Sequence, residues 1–278
     1  MVGIIIVNYR SDDLTVRFIR EELSKVSLPH RIVVVDNGAD EAGVSALAAR
    51  IPEAVVLPAE NRGFAAGNNL GVRWLVDHVR PSHILLTNND IHFRSDRIVE
   101  TLCETAAAQP DAGAVGPEIL DLELRRQGPW RYRGLWDRFV WMYLSTPFLS
   151  REAKNRRFGL DYPEKARAGF HDVLSGAFLL VDTESFLKAG MFDEETFLYA
   201  EENILAERMK RIGKGFYFEP AVTVLHDHGK TIGRLHDSRS RNLMQFDSMA
   251  LFYRKYHGSS WLSVRLSRLV YSLILRLK

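Results

Sequence analysis

The sequence predicts an α/β fold, a Rossmann-like, mostly parallel sheet flanked by helices, with a C-terminal helical extension. Three observations carry this reading. Short, β-branched apolar runs at Gly3–Val7, Arg31–Val35, Ala54–Leu57 and Ile84–Leu86 alternate with amphipathic stretches of helix length. Each run is apolar throughout, as expected of a strand covered on both faces. Each is also followed by a polar cluster: Asn8, then Asp36-Asn37, then Asn61-Arg62, then Asn88-Asn89-Asp90. In open α/β sheets, ligands bind along the carboxyl edge of the strands.

Taken in order, the elements follow from local chemistry. After the first strand, Ser11 is placed to cap a helix whose first turn holds Asp12 and Asp13, favourable at the positive end of a helix dipole. Leu14, Phe18, Ile19, Leu23 and Val26 form one face of that helix. A short helix at Ala42–Arg50 joins the second and third strands. A longer one follows, with Leu70, Trp74 and Leu75 turned inward, and Ser95 caps another after the fourth strand. Gly63, Gly67 and Gly71 either approach a phosphate or allow close helix–sheet packing.

Composition bounds the function. Of 278 residues 46% are hydrophobic and 26% charged, and the net charge of +2 gives no reason to expect a nucleic-acid partner. The single cysteine, Cys103, excludes a disulfide framework and suits the cytoplasm. MVGIIIVNYR has no basic n-region and turns polar too soon for a signal peptide, and no apolar run is long enough to span a membrane. The first strand is not followed by GxGxxG, which argues against a dinucleotide-dependent dehydrogenase, and no GxxxxGK[ST] marks a P-loop.

IIIVNYRS, VVVDNGAD, ENRGFAAGNNLG and LLTNNDI, in that order, resemble the family 2 glycosyltransferases of GT-A fold. The likeness is to the rhamnosyltransferase-like branch of bacterial surface polysaccharide synthesis. It continues through SGAFLLVDTESFLKAGMFDEETFLYAEENILAERMKRIGKGFYFEPAVTVLH and covers about residues 2–230, with Phe192-Asp193 resembling the family's FD turn. The resemblance implies inverting transfer of a sugar from a nucleoside diphosphate, with a divalent metal, Mg²⁺ or Mn²⁺, on the pyrophosphate. It implies that Asp36 accepts a hydrogen bond from the base, that Val7 and Asn8 flank it, and that Asn61 and Arg62 lie near base or phosphate. Asn88, Asn89 and Asp90 take the family's DxD-like position, with Asn88 towards ribose and Asp90 on the metal. Only one carboxylate remains there, which leaves more of the coordination to water and phosphate. His226 takes the position of a metal- or phosphate-contacting histidine, and His228 lies on the same side of an extended chain.

The second half supplies the chemistry. Val173–Val181 reads as a strand in which Ser175-Gly176-Ala177 either lets a sugar approach or packs under a helix. A helix with Ile204, Leu205, Met209 and Ile212 on its inner face begins near Glu201 and Glu202. Adjacent helix positions differ by about 100° in direction, so the two carboxylates are not expected to enter one cleft equally. Acidic residues also favour a helix N-terminus in their own right. Within the resemblance Glu202 aligns with the base that deprotonates the acceptor hydroxyl, Glu201 being the other candidate. Lys230 and Arg234 either neutralise the leaving diphosphate or belong to a solvated loop.

Residues 128–150 are rich in aromatics, among them Trp130, Trp136, Phe139, Trp141 and Phe148, interleaved with Arg125, Arg126, Arg131, Arg133 and Arg138. These rings either pack as a small core or, with the arginines, suit a membrane surface or a lipid diphosphate acceptor. At the C-terminus Leu262, Leu266, Leu269, Val270, Leu273 and Leu277 follow helical spacing, with Arg265, Arg268, Arg276 and Lys278 between them. That pattern suits peripheral membrane contact, a helix docked on its own core, or a homodimer seam. The expected organisation is a GT-A domain over 1–235, split into a nucleotide-binding half (1–120) and an acceptor and catalytic half (121–235), with a helical extension over 236–278. The expected partners are a dTDP- or UDP-sugar donor, with rhamnose the sugar the resemblance suggests, and a glycan or lipid-linked acceptor. The expected location is cytoplasmic, at the inner face of the membrane. Two other readings stand beside this one. A sugar nucleotidyltransferase would carry a Gly-rich basic loop after the first strand, which Asn8-Tyr9-Arg10-Ser11 does not match; a catalytically silent nucleotide-sugar binder would bind without transfer.

Overall fold

The computed structural model describes residues 1–145, 147–227 and 238–277. Its first half is the predicted alternation: β1 (Val2–Asn8), α1 (Asp12–Glu21), β2 (His30–Asn37), α2 (Glu41–Arg50), β3 (Ala54–Ala59), α3 (Phe64–His78) and β4 (His83–Thr87). A short β5 (Ile91–Phe93), α4 (Ile98–Ala108) and β6 (Ala112–Leu120) follow. A π-helical turn, Asp137–Trp141, leads into α5 (Met142–Leu144), then α6 (Arg151–Phe158), α7 (Tyr162–Lys165) and β7 (Gly169–His171). The chain continues through β8 (Phe178–Asp182), α8 (Thr183–Lys188), α9 (Glu201–Arg211) and β9 (Gly215–His226). It ends in α10 (Ser238–Tyr256) and α11 (Trp261–Ile274).

One sheet runs β3-β2-β1-β4-β8-β6-β9-β5, with β7 also on β9. Strands β1 to β4, β6 and β9 run one way; β5, β7 and β8 run the other. The chain leaves β1 on one side to build β2 and β3, and returns on the other to build β4. That reversal opens a crevice at the carboxyl ends of β1 and β4.

The apolar runs are continuous because both sheet faces are covered. Ile4, Ile6, Val34 and Leu85 pack with Phe18 of α1, Leu47 of α2 and Leu102 of α4. Their neighbours Ile5, Val33, Val35 and Leu86 pack with Val72 and Leu75 of α3 and Leu205 and Met209 of α9. Period-two alternation sends successive residues to opposite faces, and each fully buried aliphatic side chain contributes about 1.5–3 kcal/mol. A Cβ at Gly71 would lie 3.0 Å from Ile5 and one at Gly67 3.2 Å from Val7, so both glycines serve the close seating of α3 on β1. A third cluster joins Phe246, Met249 and Phe252 of α10 and Tyr271 of α11 to Leu135, Phe139 and the start of α9 at Ala200 and Ile204.

Three local expectations are corrected. Ser95 does not cap α4: its hydroxyl accepts from Thr223 N–H (3.1 Å), and the helix starts after Arg97 in a left-handed conformation. Ser11 precedes α1 but makes no capping bond, its hydroxyl being drawn into the network described below. The strand expected from Val173 begins only at Phe178. Before it, Val173 exchanges backbone hydrogen bonds with Trp130, Gly176 N–H points to Glu202, and Ala177 carbonyl accepts from Asn88 N–H (2.9 Å). The backbone there is engaged by the cleft instead of a neighbouring strand.

Candidate active site

The polar strand ends are wired to one another. Asn89 Nδ2 donates to Ser11 Oγ and Thr15 Oγ1, both at 2.8 Å. These hydroxyls in turn donate to Asn8 Oδ1, at 3.1 and 2.8 Å. Asn8 Nδ2 then donates to Asp36 Oδ1 (3.1 Å) and Asp12 Oδ1 (2.8 Å). The network ties the ends of β4, β1 and β2 together through the first turns of α1. Asn8 is fully buried and its amide is fully used, so it positions Asp36 and does not itself flank a ligand.

At the end of β2, Asp36 Oδ2 and Asn37 Oδ1 are buried acceptors with no hydrogen-bond partner among the described residues. Burial pushes the Asp36 carboxyl up, against the Asn8 hydrogen bond and with help from the charge of Asp12. Asn37 Nδ2 donates to Asn61 Oδ1 (3.0 Å), and Gly63 N–H donates to the same oxygen (3.2 Å). Gly63 has φ +97°, and a Cβ there would fall 2.1 Å from the carbonyl oxygen of Phe197. Only glycine lets α3 begin against that loop, where Phe64 N–H donates to the same carbonyl (2.9 Å). Arg62 does not enter the cleft; it is exposed and lies 3.8 Å from Glu194, which Asn69 and Arg73 also hold.

A cleft of about 870 Å³ opens along this edge. Val7, Asn37, Asn61, Asn88, Asn89, Asp90 and His226 line one part, and Gly176, Glu201 and Glu202 another. Asp36 lies just behind the wall. The cleft is within the size range of small-molecule sites.

Where β4 meets the end of β9, Asn88 Nδ2 donates to His226 Nε2 (3.1 Å), and His226 Nδ1 lies 2.8 Å from Gln127 Oε1. The arrangement places the ring proton on Nδ1, donated to Gln127, with Nε2 accepting from the Asn88 amide. Asp90 Oδ1 lies 3.2 Å from that same Nε2 and accepts no hydrogen bond among the described residues. Two lone-pair donors face one another at about the edge length of an octahedral shell with bonds near 2.1 Å. An imidazole beside a carboxylate suits Mg²⁺ or Mn²⁺, so the residues fit a divalent metal. No group of three or more His, Cys, Asp or Glu gathers among the described residues, which leaves the rest of a shell to water and ligand phosphate. His228, Lys230 and Arg234 lie outside the described residues.

Glu201 and Glu202 both reach the cleft, unequally. Tyr199 and Ala200, just before α9, both have left-handed backbone, φ +72° and +69°. Such strain in non-glycine residues is held by surrounding structure and concentrates at functional sites. Glu201 is 2% exposed, and its Oε1 has no partner among the described residues. Burial, then the charge of Glu202, push its carboxyl well above the usual range. Glu202 is half-buried; its Oε1 accepts from Gly176 N–H at 3.1 Å. Burial raises its pKa too, but backbone N–H groups, including that of Gly176, and the Arg138 guanidinium oppose the rise. Burial thus raises both carboxyls; the charge of Glu202 adds to the rise at Glu201, whereas at Glu202 backbone N–H groups and the Arg138 guanidinium work against it.

Sequence reasoning had passed over Gln127 and the second acceptor at Asn37. No local pattern marks Gln127, and Asn37 carries no signal of its own beyond its place in the polar cluster after the second strand.

Residues 1–245 match the family described as glycosyltransferase like family 2. The N-acetylglucosaminyl-diphospho-decaprenol L-rhamnosyltransferase of Mycobacterium tuberculosis (strain ATCC 25618 / H37Rv) is 26% identical over 287 residues, covering 94% of this chain and 86% of that relative. The low-salt glycan biosynthesis hexosyltransferase Agl10 of Haloferax volcanii is 27% identical over 122 residues, 44% of this chain and 38% of that one. Among solved structures, mannosyltransferase PcManGT from Pyrobaculum calidifontis, in complex with GDP-Man and Mn²⁺, matches with a TM-score of 0.59 at 13% identity, over 99% of this chain and 74% of that one. S. aureus TarS 1–349 in complex with UDP-GlcNAc matches with a TM-score of 0.57 at 11% identity, over 99% and 71%. At such identities the structural likeness speaks for the GT-A fold alone. The family model spans most of the chain, and on that ground this protein belongs to the family 2 glycosyltransferases.

Proposed function

We propose that the protein moves a sugar, rhamnose, from a dTDP- or UDP-linked donor to a hydroxyl of a lipid-linked glycan, with inversion at the anomeric carbon. The observation that carries this reading is one cleft holding two different chemistries. Buried acceptors without a partner among the described residues and a metal-compatible Asp90–His226 pair sit at the strand ends, and the Glu202 carboxyl sits at the start of α9.

In this reading the one N–H of a uracil or thymine base, at N3, is donated to the buried acceptor of Asp36 or its neighbour Asn37, and Asn88 faces the ribose. Asp90 and His226 would hold a divalent cation, which neutralises the donor diphosphate when bound. Glu202 takes the proton of the acceptor hydroxyl while that oxygen bonds to the anomeric carbon and the bond from that carbon to the phosphate oxygen breaks. The nucleoside diphosphate leaves with the electron pair.

A lipid-linked acceptor agrees with the name of the mycobacterial relative and with α11. Trp261, Leu262, Leu266, Leu269 and Leu273 are 46–60% exposed along that helix, while Ser267, Tyr271 and Ile274 bury its other face. From Ser248 to Lys278 there is no Asp or Glu, against Arg254, Lys255, Arg265, Arg268, Arg276 and Lys278. An apolar stripe flanked by cations alone suits an anionic bilayer at the cytoplasmic face. No helix among the described residues is long and apolar enough to cross a membrane.

The test is a thermal-shift panel of nucleotide sugars with and without Mn²⁺ or Mg²⁺, followed by transfer to a monosaccharide on a short prenyl diphosphate. Metal-dependent stabilisation by dTDP-rhamnose, then transfer, is expected. Stabilisation by purine nucleotide sugars alone contradicts the donor assignment, and no transfer from any stabilising donor contradicts the acceptor assignment.

A further inference from the structure

The five arginines of the aromatic-rich segment separate into two groups. Arg125 pairs with Asp121 (2.7 Å) and Glu123 (3.0 Å), and Arg126 with Glu118 (2.6 Å), so their charge is answered within the protein. Arg131, Arg133 and Arg138 line the cleft, and none has a carboxylate within 4.0 Å among the described residues. What distinguishes them from the chain's other arginines without an ion pair is that all three line one cleft.

Two of the three pay a cost that a ligand would relieve. Arg133 and Arg138 are half-buried and close enough that burial, then the charge of Arg138, push the Arg133 guanidinium down. Arg133 Nη2 has only the distant carbonyl of Gly159 at 3.4 Å, and Nη1 the sulfur of Met142 at 3.6 Å. Arg131 is held over the Tyr162 ring, 4.3 Å from its centroid. Like charges gathered in a partly dry cleft, with no carboxylate in ion-pair contact among the described residues, are stabilised by an anion, and guanidinium forks match phosphate oxygens.

The surroundings indicate which phosphate. Trp130, Met142 and Leu160 interleave with the arginines in the cleft wall. The same segment turns Trp141 (47% exposed), Leu144 (43%) and Phe148 (85%) outward. It also packs on α11, where Trp136 Nε1 donates to Ser263 Oγ (2.8 Å). Phosphate seat, apolar wall and exposed apolar surface thus follow one another along a single stretch of chain. That order fits a sugar joined through phosphate to a lipid.

We propose that Arg131, Arg133 and Arg138 form the seat for the acceptor's phosphate, a phosphodiester or diphosphate linking the receiving sugar to its lipid, and that Arg125 and Arg126 take no part. This deepens the transfer reading above and rests on it.

The test compares one monosaccharide presented on a short prenyl diphosphate and as a neutral octyl glycoside, using the full chain. The double variant R131Q/R133Q should raise KM for the diphosphate acceptor by about tenfold or more, the range expected for lost hydrogen bonds to a charged group. KM for the octyl glycoside and for the donor should stay within about twofold, as should all parameters of R125Q. R131K/R133K, which keeps the charge, should recover part of the loss. Equal losses on both acceptors, or a raised donor KM, overturn the proposal, the second because the arginines would then serve the donor diphosphate.

Binding of farnesyl diphosphate to the wild-type protein, read by tryptophan fluorescence without metal or nucleotide sugar, needs neither turnover nor a variant. Salt-sensitive binding supports the seat, and absence of binding overturns it. Binding by a wild-type protein that transfers to neither acceptor sinks the transfer reading and leaves the arginine seat standing.

Discussion

Gly176 and Glu202 are fitted to each other: the Gly176 N–H donates to Glu202 Oε1 at 3.1 Å, and a Cβ at position 176 would lie 2.9 Å from that same oxygen and from Glu202 Cγ. The missing side chain makes the room in which the carboxylate is held, and the backbone donor favours its ionised form. Gly176→Ala should therefore displace the carboxylate. Single-turnover transfer should slow by about 10- to 100-fold, since small misplacements cost that much. Donor affinity by calorimetry should change much less than the rate, because the Gly176 N–H holds Glu202 and no strand-end residue.

The two carboxylates also set the pH response. Burial first, against backbone N–H groups and Arg138, leaves the Glu202 pKa raised, so the acid limb of kcat/KM should fall above the usual glutamate value of about 4.3. For Glu201 the sign can be worked through linkage. Its folded pKa is raised, so the folded protein binds the proton more tightly. That contribution to stability is fully present below the unfolded pKa and is lost as pH rises through the folded value. Glu201→Gln should thus melt progressively higher than wild type as pH is raised from 5 to 9. A melting difference that shrinks over that range contradicts the assignment.

His226 depends on Gln127, whose Oε1 accepts the Nδ1 proton and so fixes Nε2 as the acceptor atom beside Asp90. Such outer partners typically govern metal affinity by 10- to 100-fold. Gln127→Ala should weaken Mn²⁺-dependent binding of the donor by about that factor in a metal titration. Binding of nucleotide without metal should be unaltered, and an unchanged titration would remove Gln127 from the site.

Membrane contact is best tested without cutting α11 away, because Tyr271 is buried against Phe139 and Phe246 and truncation would open that core. Leu262→Ser, Leu269→Ser and Leu273→Ser together change only exposed positions. The triple variant should lose partitioning onto anionic liposomes while keeping its melting temperature within a few degrees. Unaltered partitioning would exclude the stripe as the contact.

The fold was legible because burial on both faces of β1, β2 and β4 leaves an uninterrupted apolar signature, and because strand ends and polar clusters coincide. The lining of the cleft was legible at Asp90, Glu202 and His226, which the fold brings together there, with Asp36 behind its wall. It was less so where a residue serves another residue. Asn8 and Asn89 have the composition of ligand-binding amides, yet their hydrogen bonds are consumed in bracing Asp36 and α1. Arg62 belongs to a motif that resembles the family's, but its charge is drawn to Glu194, more than a hundred residues away. The strand before Phe178 could not be shortened from sequence, since its backbone donors and acceptors are claimed by Glu202, Asn88 and Trp130, each distant in the chain. Such long-range claims on the backbone leave no local periodicity to read.

In the proposed transfer Glu202, held by the Gly176 N–H at the start of α9, is the base. Glu202→Gln preserves shape and an oxygen for the Gly176 N–H while removing the negative charge. Transfer at saturating donor should fall by about 10²- to 10⁴-fold, the usual worth of a general base, with donor Kd unchanged. Turnover close to that of the wild type would contradict the account.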